Sequence, residues 1–136
     1  MTDVWHKLNL KDQTAILVAN EPESFKVHLD ALSGVMVHTT WSQAKQVDFV
    51  IAFVTKLKEV ERHAEMIAKK TEGDATIWFA YPKQISKKYQ CEFNRDTGWN
   101  AATDIGLAGV RQIAIDDDWS ALRFRRTEFI TSPKRR

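Results

Sequence analysis

Four cations, Lys83, Lys87, Lys88 and Arg95, crowd the segment PKQISKKYQCEFNRDTGW at positions 82–99, where they bracket an expected helix start at Asn94 to Asp96. The first N–H groups of a helix lack internal partners and carry the positive end of its dipole, so cations beside them suit a phosphate or carboxylate. Asp96 fits two roles: an N-cap whose carboxylate accepts a backbone N–H, or a general base. Asn94 can cap as well. Arg95 can reach an adjoining crevice or pair with Glu92 or Asp96. Gly98 allows either close ligand approach or tight packing of helix on strand. No GxGxxG or phosphate-loop pattern accompanies these cations.

Other chemistries find fewer parts. His6, His28, His38 and His63 are scattered singly, with no HExxH and no paired Cys/His spacing, so no metal centre is expected. The run Asp116, Asp117, Asp118 lacks the spaced ligands of a calcium loop and reads as a hairpin turn. Cys91 has no histidine near it in sequence, and Ser86 lacks a Gly-x-Ser-x-Gly elbow, so neither is a nucleophile by pattern. Arg123, Arg125, Arg126, Lys134, Arg135 and Arg136 concentrate positive charge toward the C-terminus. Arginine alternating along an exposed strand also guards a sheet edge, and with no RNA-recognition signature nucleic acid is not an expected partner. Among the tryptophans, Trp41 sits near a strand end, where it can line a pocket or an interface; Trp78, Trp99 and Trp119 suit packing.

These residues are positioned by an alternation of strands and helices. TAILVA (14–19) and VDFVIAFV (47–54) are continuous apolar runs, as in strands covered on both faces. Further strands are expected at 35–40, 75–81, 111–115 and 121–125. Asn20, Glu21 and Pro22 open a first helix with Phe25, Leu29 and Leu32 on one face. Leu57, Val60, Ala64 and Ile67 form the stripe of a second, and a third runs from about Asp96 to Leu107. The pattern implies a single three-layer α/β domain with a mostly parallel, flavodoxin- or Rossmann-like sheet. The expected strand order is 2-1-3-4-5, with the C-terminal strand antiparallel outside the fifth. Ligands in such sheets lie beyond the strands' carboxyl ends, at the switch point between strands one and three. Asn20, Lys56 and Lys83 belong to those ends.

Length and composition agree. A chain of 136 residues, 43% hydrophobic and 28% charged, suits one domain with its own core, and a net charge of +2 gives no electrostatic argument for a polyanion. The single cysteine permits no internal disulfide, and no apolar stretch approaches the ~20 residues of a membrane span, so a cytoplasmic protein with no membrane partner is expected. Residues 1–10 and 131–136 read as mobile ends.

The segments AYPKQISKKYQCEFNRDTGWNAATDIGL (80–107) and QIAIDDDWSALRFRR (112–126) resemble domain-of-unknown-function family 3052, small bacterial proteins with a Tyr-Pro-Lys element, an Asn-Arg-Asp or Thr-Arg-Asp helix start and an acidic turn before Trp-Ser-Ala-Leu-Arg-Phe-Arg. The resemblance implies a stand-alone bacterial domain and carries no activity with it. From the residues themselves, the expected function is a non-catalytic binding module. Its ligand would be an anionic small molecule (phosphate, nucleotide or carboxylate) held at the strand ends by Asn20, Lys56, Lys83, Arg95 and Asp96, with no cofactor. Two alternatives stand beside it: a protein-interaction or homodimeric domain, and an enzyme using Lys83, Arg95 and Asp96 in acid–base work.

Overall fold

The computed structural model describes residues 4–84, 86, 91, 93 and 97–130. Six strands form one sheet: β1 (Ala15–Ala19), β2 (Met36–His38), β3 (Phe49–Phe53), β4 (Thr76–Pro82), β5 (Leu107–Ala114) and β6 (Trp119–Arg126). Strands β2, β1, β3 and β4 are parallel neighbours in that order, so β1 and β3 pair directly, as the switch-point argument requires. The α/β class and the mostly parallel sheet stand as expected.

The strand order needs correction at one margin. It is β2-β1-β3-β4-β6-β5, with β6 antiparallel to both β4 and β5. The last strand is inserted inside the fifth rather than added outside it. Burial explains the choice: Trp119 to Leu122 and Phe124 are buried in β6, whereas Val110 to Gln112 in β5 are exposed. An inner strand must be apolar on both faces, and the more polar strand goes to the edge.

Alternating strand residues feed two cores. Leu17, Ala19, Val50, Ala52, Ile77, Phe79, Leu122 and Phe124 face one side, joined by Val60 and Ile67 of α3 (Leu57–Lys70) and Ala102 of α4 (Asn100–Asp104). Ile16, Val18, Phe49, Ile51, Phe53, Trp78 and Ala121 face the other. There they meet Val4 and Trp5 of α1 (Val4–Lys7) and Phe25, which ends a 3-10 turn leading into α2 (Lys26–Asp30). These are the three layers.

Three expected boundaries shift. Residues 4–8 are packed, with Val4, Trp5 and Leu8 buried and the Trp78 indole N–H donating to the Leu8 carbonyl at 2.8 Å, so the mobile N-terminal end expected over 1–10 does not extend to them. Residues 131–136 lie outside the described residues. The first helix reduces to the 3-10 turn and the five residues of α2. Of the helix expected over 96–107, whose first residue lies outside the described residues, the described part is helical only in α4, because Gly98 and Gly106 adopt φ of 92° and 91° on either side of it and Leu107 already belongs to β5. Positive φ is incompatible with helix propagation and suits its ends.

Candidate functional site

At the carboxyl ends of β1 and β2 the chain leaves an open cleft of about 430 Å³, lined by Ala19, Asn20, Thr39, Thr40, Trp41, Glu59, Arg62 and His63. Three short segments build it. The first is the turn after β1, where Asn20 has φ 62°. A positive φ on a non-glycine residue has a ready explanation at Asn9, which lies two residues past α1 and whose N–H donates back to the His6 carbonyl at 3.1 Å. Asn20 follows a strand instead. Such strain is held in place by its surroundings and gathers at functional turns.

The second segment is the 3-10 turn Trp41–Gln43 between β2 and β3. Gln43 Oε1 accepts the backbone N–H groups of Thr39 (2.8 Å) and Thr40 (3.3 Å), and Thr40 Oγ1 lies 3.1 Å from Ser42 Oγ. The turn is fastened from below by Lys70, whose ammonium donates to the carbonyls of Trp41 and Ala44. The third segment is the start of α3, where Glu59 Oε1 accepts from the backbone N–H groups of Thr55 (2.7 Å) and Lys56 (3.1 Å). That carboxylate satisfies donors at a helix N-terminus, a stabilising use at the positive end of the dipole.

Trp41 and His63 join the second and third segments. Both are buried, at 4% and 6% exposure, and the indole N–H donates to His63 Nδ1 at 2.9 Å. An accepting Nδ1 fixes the neutral imidazole with its hydrogen on Nε2. Burial foremost, with the Arg62 charge adding to it and Glu59 opposing, lowers the His63 pKa to about 4. At neutral pH the ring is an uncharged donor. His63 also lines the cleft.

The sequence-level candidates divide. Asn20 lies in the cleft, and so does Trp41. Lys56 does not line it: the residue is exposed and serves α3 through its backbone N–H. Lys83 is at the other half of the same rim, where its backbone N–H donates to the Asp118 carbonyl at 2.8 Å. Arg95 and Asp96 lie outside the described residues. In the Asp116–Asp118 turn, Asp116 Oδ1 accepts the N–H groups of Asp118 and Trp119, the hairpin role expected of it. Among the described residues no group of three or more acidic, histidine or cysteine side chains can hold a metal, and no helix is long and apolar enough to cross a membrane. Thr39, Thr40, Glu59, Arg62 and His63 were not expected at a site. One signal was present for His63: it falls between Val60 and Ala64 on the buried face of α3, where a polar ring needs a partner.

No family model matches the chain, and no curated protein matches it. Solved structures do. A SAM-dependent methyltransferase from Aquifex aeolicus superposes with a TM-score of 0.61 at 13% identity, covering 91% of this chain and 88% of its own. The N-methyltransferase NodS from Bradyrhizobium japonicum WM9, in complex with S-adenosyl-L-homocysteine, gives 0.55 at 11% identity, covering 91% and 83%. The fibrillarin pre-rRNA processing protein of Methanococcus jannaschii gives 0.54 at 10% identity, covering 85% and 67%. At such identities the likeness is one of fold. It nevertheless overturns the expected function: structures sharing this fold over nine-tenths of the chain are methyltransferases, one of them carrying a nucleoside-derived ligand, and not non-catalytic modules for a generic anionic small molecule.

Proposed function

We propose that the protein is an S-adenosylmethionine-dependent methyltransferase that seats the nucleoside of its cofactor in the cleft beyond β1 and β2. The observation that carries this reading is the cleft's position: it opens at the carboxyl ends of parallel strands beside the switch point, where doubly wound sheets take nucleotide-type ligands. The cofactor, when bound, supplies a methyl group activated on a sulfonium.

The residues suit a nucleoside and argue against a dinucleotide. A pyrophosphate needs glycines to approach a helix N-terminus closely. Here the turn after β1 reads Asn-Glu-Pro-Glu-Ser-Phe with no glycine, and the helix behind it has five residues. Asn20, Thr39 and Thr40 instead offer neutral amide and hydroxyl groups, which match a ribose diol and a base. Trp41 and His63, both buried, wall part of the cleft.

Titration calorimetry with S-adenosylhomocysteine, the demethylated product, tests the reading. Binding in the micromolar range is expected, together with a rise in melting temperature at saturating ligand. Asn20→Ala and Thr39→Val should each weaken it several-fold. Equal or tighter binding of a dinucleotide, or no heat at millimolar S-adenosylhomocysteine, would refute the proposal.

A further inference from the structure

The Trp41–His63 pair does more than fill the deep end of the cleft. An imidazole free to choose its tautomer can serve either as donor or as acceptor, and then reads little. His63 has no such choice, because the Trp41 indole N–H occupies Nδ1 and an indole can only donate. The charged groups around the ring are Glu59 and Arg62 on its own helix, and Glu59 is already engaged with the N–H groups of Thr55 and Lys56. What His63, a residue of the cleft lining, can offer a ligand is a single N–H from a ring held at Nδ1 by the Trp41 indole.

We infer that His63 is the specificity-determining residue of the cleft, donating its Nε2–H to an unprotonated ring nitrogen of a bound purine, with Trp41 as the positioning residue that locks the tautomer. This deepens the function proposed above and rests on it. A site built around one buried donor strongly disfavours ligands that bring no acceptor, because the donor is then left unsatisfied away from water. A purine presents acceptor nitrogens on its ring edges, and the flat ring suits a pocket walled by an indole.

Adenosine and its 1-deaza, 3-deaza and 7-deaza analogues, each lacking one ring nitrogen, provide the test. Wild-type protein should bind two of the analogues like adenosine and lose about 10-fold for the third. His63→Phe should bind all four alike, at the weakened level. Trp41→Phe, which frees the tautomer and takes the indole from the cleft wall, should narrow the discrimination and also weaken adenosine binding. Should His63→Phe fail to fold, His63 can be followed in the wild type by ¹⁵N NMR: adenosine should shift Nε2 with its hydrogen retained, and the discriminated analogue should not. Adenosine binding accompanied by equal affinity for all three analogues would overturn the role of His63 and leave the methyltransferase reading intact. Failure of adenosine and S-adenosylhomocysteine alike to bind would remove both.

Discussion

Two tryptophans stand on one face of the sheet at opposite ends, and their surroundings differ in kind. Trp41, at the β1–β2 end, directs its indole N–H to an imidazole and borders an open polar cleft. Trp99, at the β4–β6 end, interlocks with Phe79, Tyr81, Phe93 and Phe124 at ring-centroid separations of 5.6, 5.6, 4.9 and 5.3 Å. Edge-on and tilted aromatic contacts add to the burial of apolar area, the main stabilising term in a core. The contrast assigns separate work to the two ends. One holds the fold together; the other keeps polar groups poised at a cost in stability, which is how function departs from optimal packing.

The comparison breaks most readily at Gly98, which seals the aromatic end. Its φ is 92°, and a Cβ there would fall 2.4 Å from Phe93 Cβ and 2.8 Å from Phe93 Cγ. Gly98→Ala therefore meets both backbone strain and overpacking, and should cost about 3 kcal/mol, a fall of roughly 10 °C in melting temperature. Gly34→Ala separates the two causes. Gly34 has φ 76° with nothing within 4 Å, so only the backbone term remains, on the order of 1 kcal/mol. Equal losses for the two variants in denaturant melts would mean that Phe93 yields freely and that the aromatic end is not closely packed.

Acid offers the next largest effect, and between pH 7 and about 4.5 its largest target should be the polar end. The His63 pKa is lowered from 6.5 to about 4, so between those values the unfolded chain binds a proton that the native ring refuses. Stability is then complete above about pH 6.5 and falls as pH drops toward 4. The loss between pH 7 and 4.5 is on the order of 2 kcal/mol. His63→Gln should remove that part of the slope, whereas Trp99→Phe should lower stability and leave the slope unchanged. Asp74, whose carboxyl lies below its ordinary value chiefly through its hydrogen bonds from Arg125, contributes a further loss at lower pH in every variant. A wild-type slope matching that of His63→Gln would show that the ring takes up its proton without penalty.

What the sequence conveyed follows the same division. The apolar runs 14–19 and 47–54, the α3 stripe and the aromatic residues of β4 are dictated by local pattern, and each folded where the pattern put it. The inner position of β6 was also present, in the density of Trp119, Ala121, Leu122 and Phe124 against the polar run at 110–112, but strand order depends on competition between segments and not on either alone. The cleft was not legible for a plainer reason. His63 and Trp41 are 22 residues apart, and each alone resembles an ordinary core residue. Lysines such as Lys56 and Lys83 drew attention because charge is visible in a sequence, whereas a hydrogen-bonding surface drawn from separate segments is visible only once the fold assembles it.

The smallest expected effect lies at the outer margin of the aromatic end. Arg111 on β5 and Arg123 on β6 are register partners, so two like charges face each other across the hairpin. Arg123 Nε is sealed from solvent with no hydrogen-bond partner among the described residues. The Arg123 pKa is lowered, by burial first, then by Arg125, with Asp74 opposing and Arg111 adding to the fall. Arg111→Glu turns the facing pair from like to opposite charges and should stabilise the protein by about 0.5–1 kcal/mol. Arg111→Gln removes the repulsion without adding an attraction and should recover roughly half. Because Arg111 is exposed, the gain should shrink as salt is raised from 0.05 to about 1 M, where screening shortens to a few ångströms. The acid slope set by His63 is rooted in burial and should outlast the same salt. A gain that persists at high salt would mean that Arg111→Glu acts through packing or strand propensity, and would leave the arginine pair without an electrostatic role.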